Sequence, residues 1–202
     1  HALAKAMVAK LQASTEVGIR LLSESAGGAL AAHGVNVGIL ALLMGKSFGW
    51  KGEELSDLCL GALFHDIGKP KTRGYKNGKG VTFHHHEVVG ARMTRDRMRA
   101  LKYSNEDVDA VTELVNLHLR FHTYQMGWTD SAVRRYVRDA GPLLAELNVL
   151  TRCDCTTRNE KKAAVLARRM DELEERIAYL NEREELAALR PEIDGVRVME
   201  LL

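Results

Sequence analysis

A histidine followed at once by an aspartate, His65-Asp66, closes a run of residues with helical hydrophobic spacing. That spacing predicts a helix over 53–65 with one buried face, and Gly68 and Pro70 then end the helix. A charged aspartate at the end of a buried helix costs free energy unless it is paired or binds a cation. The pair is therefore either an ordinary helix end, with a hydrogen-bonded histidine and a solvated carboxylate, or part of a metal site whose other ligands come from elsewhere in the chain.

Other histidines and aspartates that could return to this pair lie on predicted helices, or at their ends, among apolar residues. They are His33, His86, His118 and Asp154. A single histidine on an apolar stripe is more often a hydrogen-bonded core residue than a ligand, but four such positions together with the pair favour a metal site. Imidazole and carboxylate ligands suit Mn, Fe, Ni, Co, Zn or Mg, and spacing does not choose among them. The sequence thus predicts one or two divalent metal ions.

The composition favours an all-α fold. Aromatic residues make up 5% of the 202 residues, there are 3 prolines, and long stretches are rich in Leu, Ala, Glu and Arg. A chain of this length buries one substantial core. Helices are predicted over 2–23, as an N-terminal brace, over 29–47, with His33 on its first turns, and over 53–65. Three further helices are predicted. The first carries His86, the second begins after Ser104 and carries His118, and the third begins at Gly141-Pro142 and carries Asp154. Asn77-Gly78 predicts a small hairpin within 71–83.

The last predicted helix spans 159–188 and has a heptad seam. The seam residues alternate at four and three positions: Leu166, Met170, Leu173, Ile177 and Leu180. This seam is either a brace packed on the other helices or, alternatively, a dimer contact or an RNA-facing arm. We place the domain over 1–158 and treat 159–202 as a C-terminal helical extension.

Charge and cysteine usage bound the partners. A net charge of +2 does not by itself imply a nucleic-acid partner. Residues 69–102, however, hold ten Lys or Arg against Glu87 and Asp96, so this stretch is either a phosphate-binding surface or a solvated basic face. The three cysteines form no disulfide framework, which suits a reduced cytoplasmic protein. We see no apolar run that approaches the roughly 20 residues of a membrane span and no signal peptide.

Taken in order, these ligands resemble the H…HD…H…H…D signature of the HD-domain metal-dependent phosphohydrolases. The signature residues are His33, His65, Asp66, His86, His118 and Asp154. The resemblance implies an HD-type helical bundle that hydrolyses phosphomonoesters or phosphodiesters, often nucleotides or cyclic phosphates.

Our mechanistic hypothesis divides the ligands between two metals. His33, His65, Asp66 and Asp154 surround one ion, and Asp66 bridges to a second ion held by His86 and His118. The cations lower the pKa of a water that attacks phosphorus. Alternatively, a single ion needs only the first group. We assign Asp66 and Lys69 as catalytic, with Lys69 stabilising the developing negative charge. The residues predicted to bind the substrate are Arg120, His122 and Arg158.

Two branches of the superfamily are similar to different parts of the chain. Residues from about 30 to 69 resemble HD-GYP domains, which hydrolyse cyclic di-GMP, but the GYP motif is absent after His118. From about Lys69 onward, GVTFHHHEVVGARM and WTDSAVRRYVRDAGPLL resemble the HD region of bacterial, actinobacterial-type CCA-adding tRNA nucleotidyltransferases. The Gly-Ser and Asp-x-Asp motif of their catalytic head is missing, so nucleotide addition is not expected.

Three hypotheses therefore stay open. The chain is a metal-dependent phosphohydrolase acting on a phosphoester, for which a nucleotide or tRNA is a candidate. Alternatively, it is a helical tRNA-binding or scaffolding module whose ligand residues are remnants. As a third hypothesis, it is a chimera or excised fragment of two HD proteins without a natural substrate. The sequence leaves the metal, the substrate and the oligomeric state undetermined.

Overall fold

Helices follow one another along the chain, with one small hairpin in the part that the structure describes. The computed structural model describes residues 6–8, 28–78, 80–155 and 160–188. The helices are α1 Ala29–Ser47, α2 Glu53–Phe64, α3 Lys69–Thr72, α4 His86–Ala100, α5 Asn105–Leu117, α6 Asp130–Ala140, α7 Leu144–Asp154 and α8 Glu160–Ala188. The strands are β1 Arg73–Lys76 and β2 Gly80–Phe83, and 3-10 turns cover Arg120–Met126 and Gly141–Leu143. The predicted all-α fold, with a hairpin and a long C-terminal helix, is confirmed.

Helix α1 lies in the core, packed against α2 and α7. Val37 and Ala41 of α1 are fully buried in the same cluster as Leu58 and Ala62 of α2. By length and composition alone, this helix is apolar enough to cross a membrane, which the sequence analysis did not anticipate. Its packing between two neighbouring helices accounts for its apolar character.

The hairpin forms where Asn77-Gly78 predicted it. Gly78 has a φ of 77°, a conformation that glycine adopts without the penalty that a Cβ brings. The strands are antiparallel, with Arg73 opposite Phe83 and Tyr75 opposite Val81. Helix α3, which directly precedes the hairpin, packs on α4 and β2. This short helix therefore ties the hairpin to the segment that follows His65-Asp66.

Side-chain caps begin two of the helices, including the one predicted to begin after Ser104. The Ser104 hydroxyl accepts a hydrogen bond from the Asp107 amide at 3.0 Å, and the Thr129 hydroxyl accepts one from the Ala132 amide at 3.3 Å. The helix that carries Asp154 begins slightly later than predicted, because Gly141-Pro142 forms a 3-10 turn and the α-helix starts at Leu144.

Helix α8 buries its heptad seam within the chain's own core. The seam belongs to the cluster that also contains Val37, Leu147 and Leu150. This packing is that of a brace, and the division of the domain at 158 stays a prediction. The predicted helix over 2–23 falls largely outside the described residues, of which 6–8 are helical.

Asp57 of α2 is a partly buried carboxylate among negative charges. Burial, together with the negative charges of Asp107, Glu53 and Glu146, raises its pKa from the ordinary 3.8 to about 7. One oxygen, Oδ1, is buried without a hydrogen-bond partner among the described residues. The folded protein therefore binds this proton more tightly than the unfolded chain does.

We expect Asp57→Asn to stabilise the protein at alkaline pH. Between about pH 4 and 7 the folded state holds a proton that the unfolded state has lost, so the free energy of unfolding falls as pH rises through this range. The variant should flatten that slope and gain about 1 kcal/mol at pH 8, after allowance for the solvent-exposed part of the carboxylate. Urea unfolding at a series of pH values measures this effect. Asp96→Asn, on the exposed surface of α4, is the control, and equal slopes in both variants would contradict the assignment.

Candidate metal centre

Helix ends from across the sequence meet at one point in the structure. His33 lies in the first turns of α1, and His65-Asp66 follows α2 directly. His86 is the first residue of α4, His118 caps the C-terminus of α5, and Asp154 is the last residue of α7. The structure thus brings together all six side chains predicted as metal ligands. Their role in binding metal remains a prediction.

Backbone carbonyls fix the orientation of three of these imidazoles. Nδ1 of His65 donates to the Ala62 carbonyl at 2.7 Å, Nδ1 of His86 to the Phe83 carbonyl at 2.8 Å, and Nδ1 of His118 to the Val115 carbonyl at 2.6 Å. A carbonyl oxygen only accepts hydrogen bonds, so Nδ1 carries the proton in each ring. The lone pair of Nε2 is then available to a metal, an arrangement typical of metal-binding histidines.

Asp66 lies between two groups of imidazoles. Its Oδ2 is 3.4 Å from Nε2 of His65 and 3.8 Å from Nε2 of His33, whereas its Oδ1 is 3.2 Å from Nε2 of His86. Asp154 closes the first group, with Oδ1 3.0 Å from His33 and 3.3 Å from His65. The ligand atoms of His33, His65 and Asp66, and those of Asp66, His86 and His118, lie within 4.8 Å of one another. The shared carboxylate therefore has one oxygen toward each group.

The positions of these atoms suit metal coordination better than hydrogen bonding between the side chains. Nε2 of His65, His86 and His118 and Oδ1 of Asp66 are buried without a hydrogen-bond partner among the described residues. Such orphaned atoms cost about 1–3 kcal/mol each. With metal–ligand bonds of about 2.1 Å, neighbouring ligand atoms lie about 3.0 Å apart in an octahedron and about 3.4 Å apart in a tetrahedron. The observed separations of 3.0–3.8 Å lie close to these values.

The electrostatics of the centre also suit a cation. Burial lowers the pKa of His65, but the nearby carboxylates of Asp154 and Asp66 outweigh that effect and raise it to about 10. Burial opposes ionisation of Asp66 and Asp154, yet their histidine partners hold both carboxyl pKa values well below the ordinary range. Burial and the neighbouring His65 lower the pKa of His118 to about 4, so this ring stays neutral. Two buried carboxylates therefore attract positive charge to the point where the Nε2 lone pairs converge.

Lys69 reaches the centre from the first residue of α3. Its ammonium donates to Oδ2 of Asp66 at 2.6 Å and lies 5.9 Å from the centroid of the Phe83 ring. The side chain keeps about 29% of its surface exposed. Lys69 is therefore a cation at the solvent side of the predicted metal pair, where an incoming anionic group would meet it.

Glycine is required where the HD segment crosses α4. A Cβ added to Gly68 would lie 2.1 Å from the carbonyl oxygen of His86 and 2.7 Å from the amide nitrogen of Gly90. Real Cβ atoms essentially never approach so closely. The close backbone crossing brings His86 toward Asp66, and Gly90 gives α4 room to make it.

The predicted substrate-binding residues are less closely associated with the centre. The Arg120 guanidinium donates to Asp139 of α6 at 2.7 Å, and the His122 side chain is exposed with its ring near Phe121. Arg158 lies outside the described residues. The substrate-binding role of all three stays a prediction.

Sequence reasoning missed the carbonyls that orient the histidines, although each belongs to the residue three positions before its histidine. It also missed Phe83, whose contact with Lys69 depends on how the hairpin folds back.

Comparison with known proteins agrees with this geometry. The HD domain family matches residues 30–180. The chain is 33% identical over 143 residues to the A-adding tRNA nucleotidyltransferase of Deinococcus radiodurans, covering 69% of this chain and 32% of that protein. It is 32% identical over 147 residues to the CC-adding tRNA nucleotidyltransferase of Thermus thermophilus, covering 71% of this chain and 31% of that protein.

The chain thus spans about a third of the length of the curated relatives it matches. The predicted resemblance to the HD region of tRNA nucleotidyltransferases is confirmed, whereas the likeness of residues 30–69 to HD-GYP domains stays a prediction. The HD match covers more than half of the 202 residues and includes all six converging histidines and aspartates. The chain belongs to the HD domain family.

Proposed function

We propose that the chain is a metal-dependent phosphohydrolase. The observation that carries the proposal is the convergence of buried imidazole Nε2 atoms, each without a hydrogen-bond partner among the described residues, on one carboxylate that two ligand groups share. Orphaned polar atoms in a core are costly, and a divalent cation would satisfy all of them together. A purely structural role for these histidines gives no reason for the Nε2 atoms to face one another.

In this proposal His33, His65, Asp66 and Asp154 hold one divalent ion, and Asp66, His86 and His118 hold a second. When bound, such ions supply Lewis acidity and a nucleophile at neutral pH. The carbonyls that bind Nδ1 of His65, His86 and His118 keep these imidazoles in the correct tautomer. Lys69 orients the Asp66 carboxylate and places a positive charge where a phosphoryl oxygen gains negative charge.

The substrate class that fits best is a phosphoester of a nucleotide or of an RNA end. The relatives' names refer to tRNA, and the basic stretch from Lys69 to Lys102 follows the metal ligands directly. A phosphate that entered beside Lys69 would meet this ammonium together with the predicted metals. Addition of nucleotides is not part of the proposal.

The test is elemental analysis by mass spectrometry combined with a phosphoester screen. We expect about one to two equivalents of a transition metal in the purified protein, in line with the two ligand groups. Hydrolysis of nucleoside phosphates should disappear after chelation and return when Mn, Ni, Co or Fe(II) is restored. Asp96→Asn is a control for adventitious binding, because Asp96 is an exposed carboxylate on α4 that is neither a predicted ligand nor a predicted substrate-binding residue.

No bound metal, even after incubation with these ions, would contradict the proposal. Salt-dependent RNA binding without metal would instead favour the non-catalytic tRNA-binding module.

A further inference from the structure

One face of the β1–β2 hairpin carries an aromatic and an aliphatic side chain into solvent. Directly opposed residues of an antiparallel pair share a face, so Arg73 and Phe83 lie on the same side as Tyr75 and Val81. Tyr75 is 76% exposed and Val81 48% exposed. Every residue of β1, the strand that carries Tyr75, is exposed. Tyr75 and Val81 therefore do not belong to the hydrophobic core.

This face is continuous with the metal centre. The Lys69 ammonium lies 2.6 Å from Asp66 and 5.9 Å from the centroid of Phe83. The next cross-strand pair on this face is Tyr75–Val81, two strand residues or about 7 Å from Phe83. Tyr75 therefore lies within about 15 Å of the ligands, a distance that a few nucleotides of a stacked strand cover.

The charges around the hairpin are of one sign. Residues 67–86 contain no Asp or Glu. They contain five Lys or Arg, namely Lys69, Lys71, Arg73, Lys76 and Lys79. Lys71, Arg73 and Lys76 are exposed, and within the described ranges no carboxylate pairs with them. A polyanion thus meets attraction along the whole length of the hairpin.

We propose that this hairpin face binds single-stranded nucleic acid and leads its end to the metal centre. Tyr75 stacks on an unpaired base, and Arg73, on the same face of the hairpin, contacts a flanking phosphate. The bases of a duplex are stacked inside the helix and expose no ring face to a tyrosine, so the occupant is a single strand. The inference rests on the proposed function for the chemistry at the metals, but the binding itself does not depend on turnover.

The experiment compares strands with and without bases. Fluorescence anisotropy, at fixed ionic strength and with chelator present to prevent cleavage, gives the dissociation constants of a short oligoadenylate and of an abasic strand of equal length. We expect the oligoadenylate to bind about tenfold more tightly, as one stacked base implies. Tyr75→Ala should abolish this preference, and Tyr75→Phe should retain it.

Two matched variants separate stacking from charge. Tyr179 on α8 is a second exposed tyrosine, 54% exposed and beside the cation of Arg183, and Tyr179→Ala should leave both affinities unchanged. Arg73→Ala, on the same face as Tyr75, should weaken both strands by the same factor and lower the dependence of affinity on salt. Circular dichroism verifies that the hairpin variants fold, which the exposure of these side chains leads us to expect.

Equal affinity of the wild type for the two strands would overturn the inference. So would an equal loss for both strands in Tyr75→Ala, or a duplex that binds as tightly as the single strand. Binding as expected without hydrolysis of any phosphoester would refute the proposed function and leave this inference standing. Hydrolysis of an oligonucleotide with the same KM in Tyr75→Ala and the wild type would refute this inference and leave the proposed function standing.

Discussion

Asp66→Ala is expected to remove metal and activity together. Asp66 is the one ligand common to both groups, with one oxygen toward His65 and the other toward His86. Loss of its carboxylate leaves His86 and His118 without an anionic ligand and removes one of the two carboxylates from the group that contains His33 and His65. We expect metal content below about a tenth of the wild-type value and a fall in phosphohydrolase kcat/KM of at least about a thousandfold.

Two variants make this result specific. Lys69→Ala removes the cation that contacts Asp66 but no predicted ligand, so it should retain the metals while kcat falls about a hundredfold. Asp109→Ala removes an exposed aspartate that pairs with Arg95 on the surface, and it should match the wild type in both metal content and rate. Phosphohydrolysis that survives Asp66→Ala would rule out the assignment of the centre.

Gly68→Ala is expected to destabilise the fold severely, although it adds a single methyl group. Gly68 has a φ of −77° and a ψ of −20°, a backbone conformation that alanine adopts freely, so the cost arises from contact and not from strain. The new Cβ would overlap the His86 carbonyl oxygen at 2.1 Å and the Gly90 amide nitrogen at 2.7 Å. Both are backbone atoms and cannot rotate away, so α4 must move. We expect a loss of more than about 4 kcal/mol in the free energy of unfolding.

Urea unfolding followed by circular dichroism measures this loss, and elemental analysis reports whether the predicted metal site, to which His86 belongs, is still occupied. Gly38→Ala is the matched control, because Gly38 is a helical glycine whose added Cβ would meet side-chain atoms at an ordinary 3.8 Å. That variant should gain about 0.5–1 kcal/mol from the helix propensity of alanine. A Gly68→Ala protein within about 1 kcal/mol of the wild type would show that α4 does not lie as described.

The helices and the ligand set were predictable because each depends on local pattern. Hydrophobic periodicity predicted α1 and α2, and the Ser104 hydroxyl predicted the start of α5. The hairpin followed from Asn77-Gly78, since the turn between Lys76 and Gly80 places Gly78 at a positive φ, which glycine adopts readily. The start of α7 was less accurate, because Pro142 suits a 3-10 turn as well as the first turn of an α-helix.

The geometry of the centre was not predictable, because it depends on contacts between distant segments. No local pattern shows that Oδ1 and Oδ2 of Asp66 face different groups or that the Lys69 ammonium lies near the Phe83 ring. The pairing of Arg120 with Asp139 likewise depends on how the 3-10 turn packs on α6. Sequence spacing placed Arg120 near His118, and the tertiary fold gave its guanidinium a different neighbour.

The wide separation of the predicted ligands along the chain bears on when a metal could bind. His33 and Asp154 are 121 residues apart in sequence, yet Nε2 and Oδ1 lie 3.0 Å apart. During synthesis the first predicted ligand group is incomplete until α7 has left the ribosome, so an ion held by all four of its residues would bind only after that point. Closing so long a loop costs entropy that grows only slowly with its length. An ion that binds both ends of this loop would therefore stabilise the completed fold relative to partly synthesised intermediates.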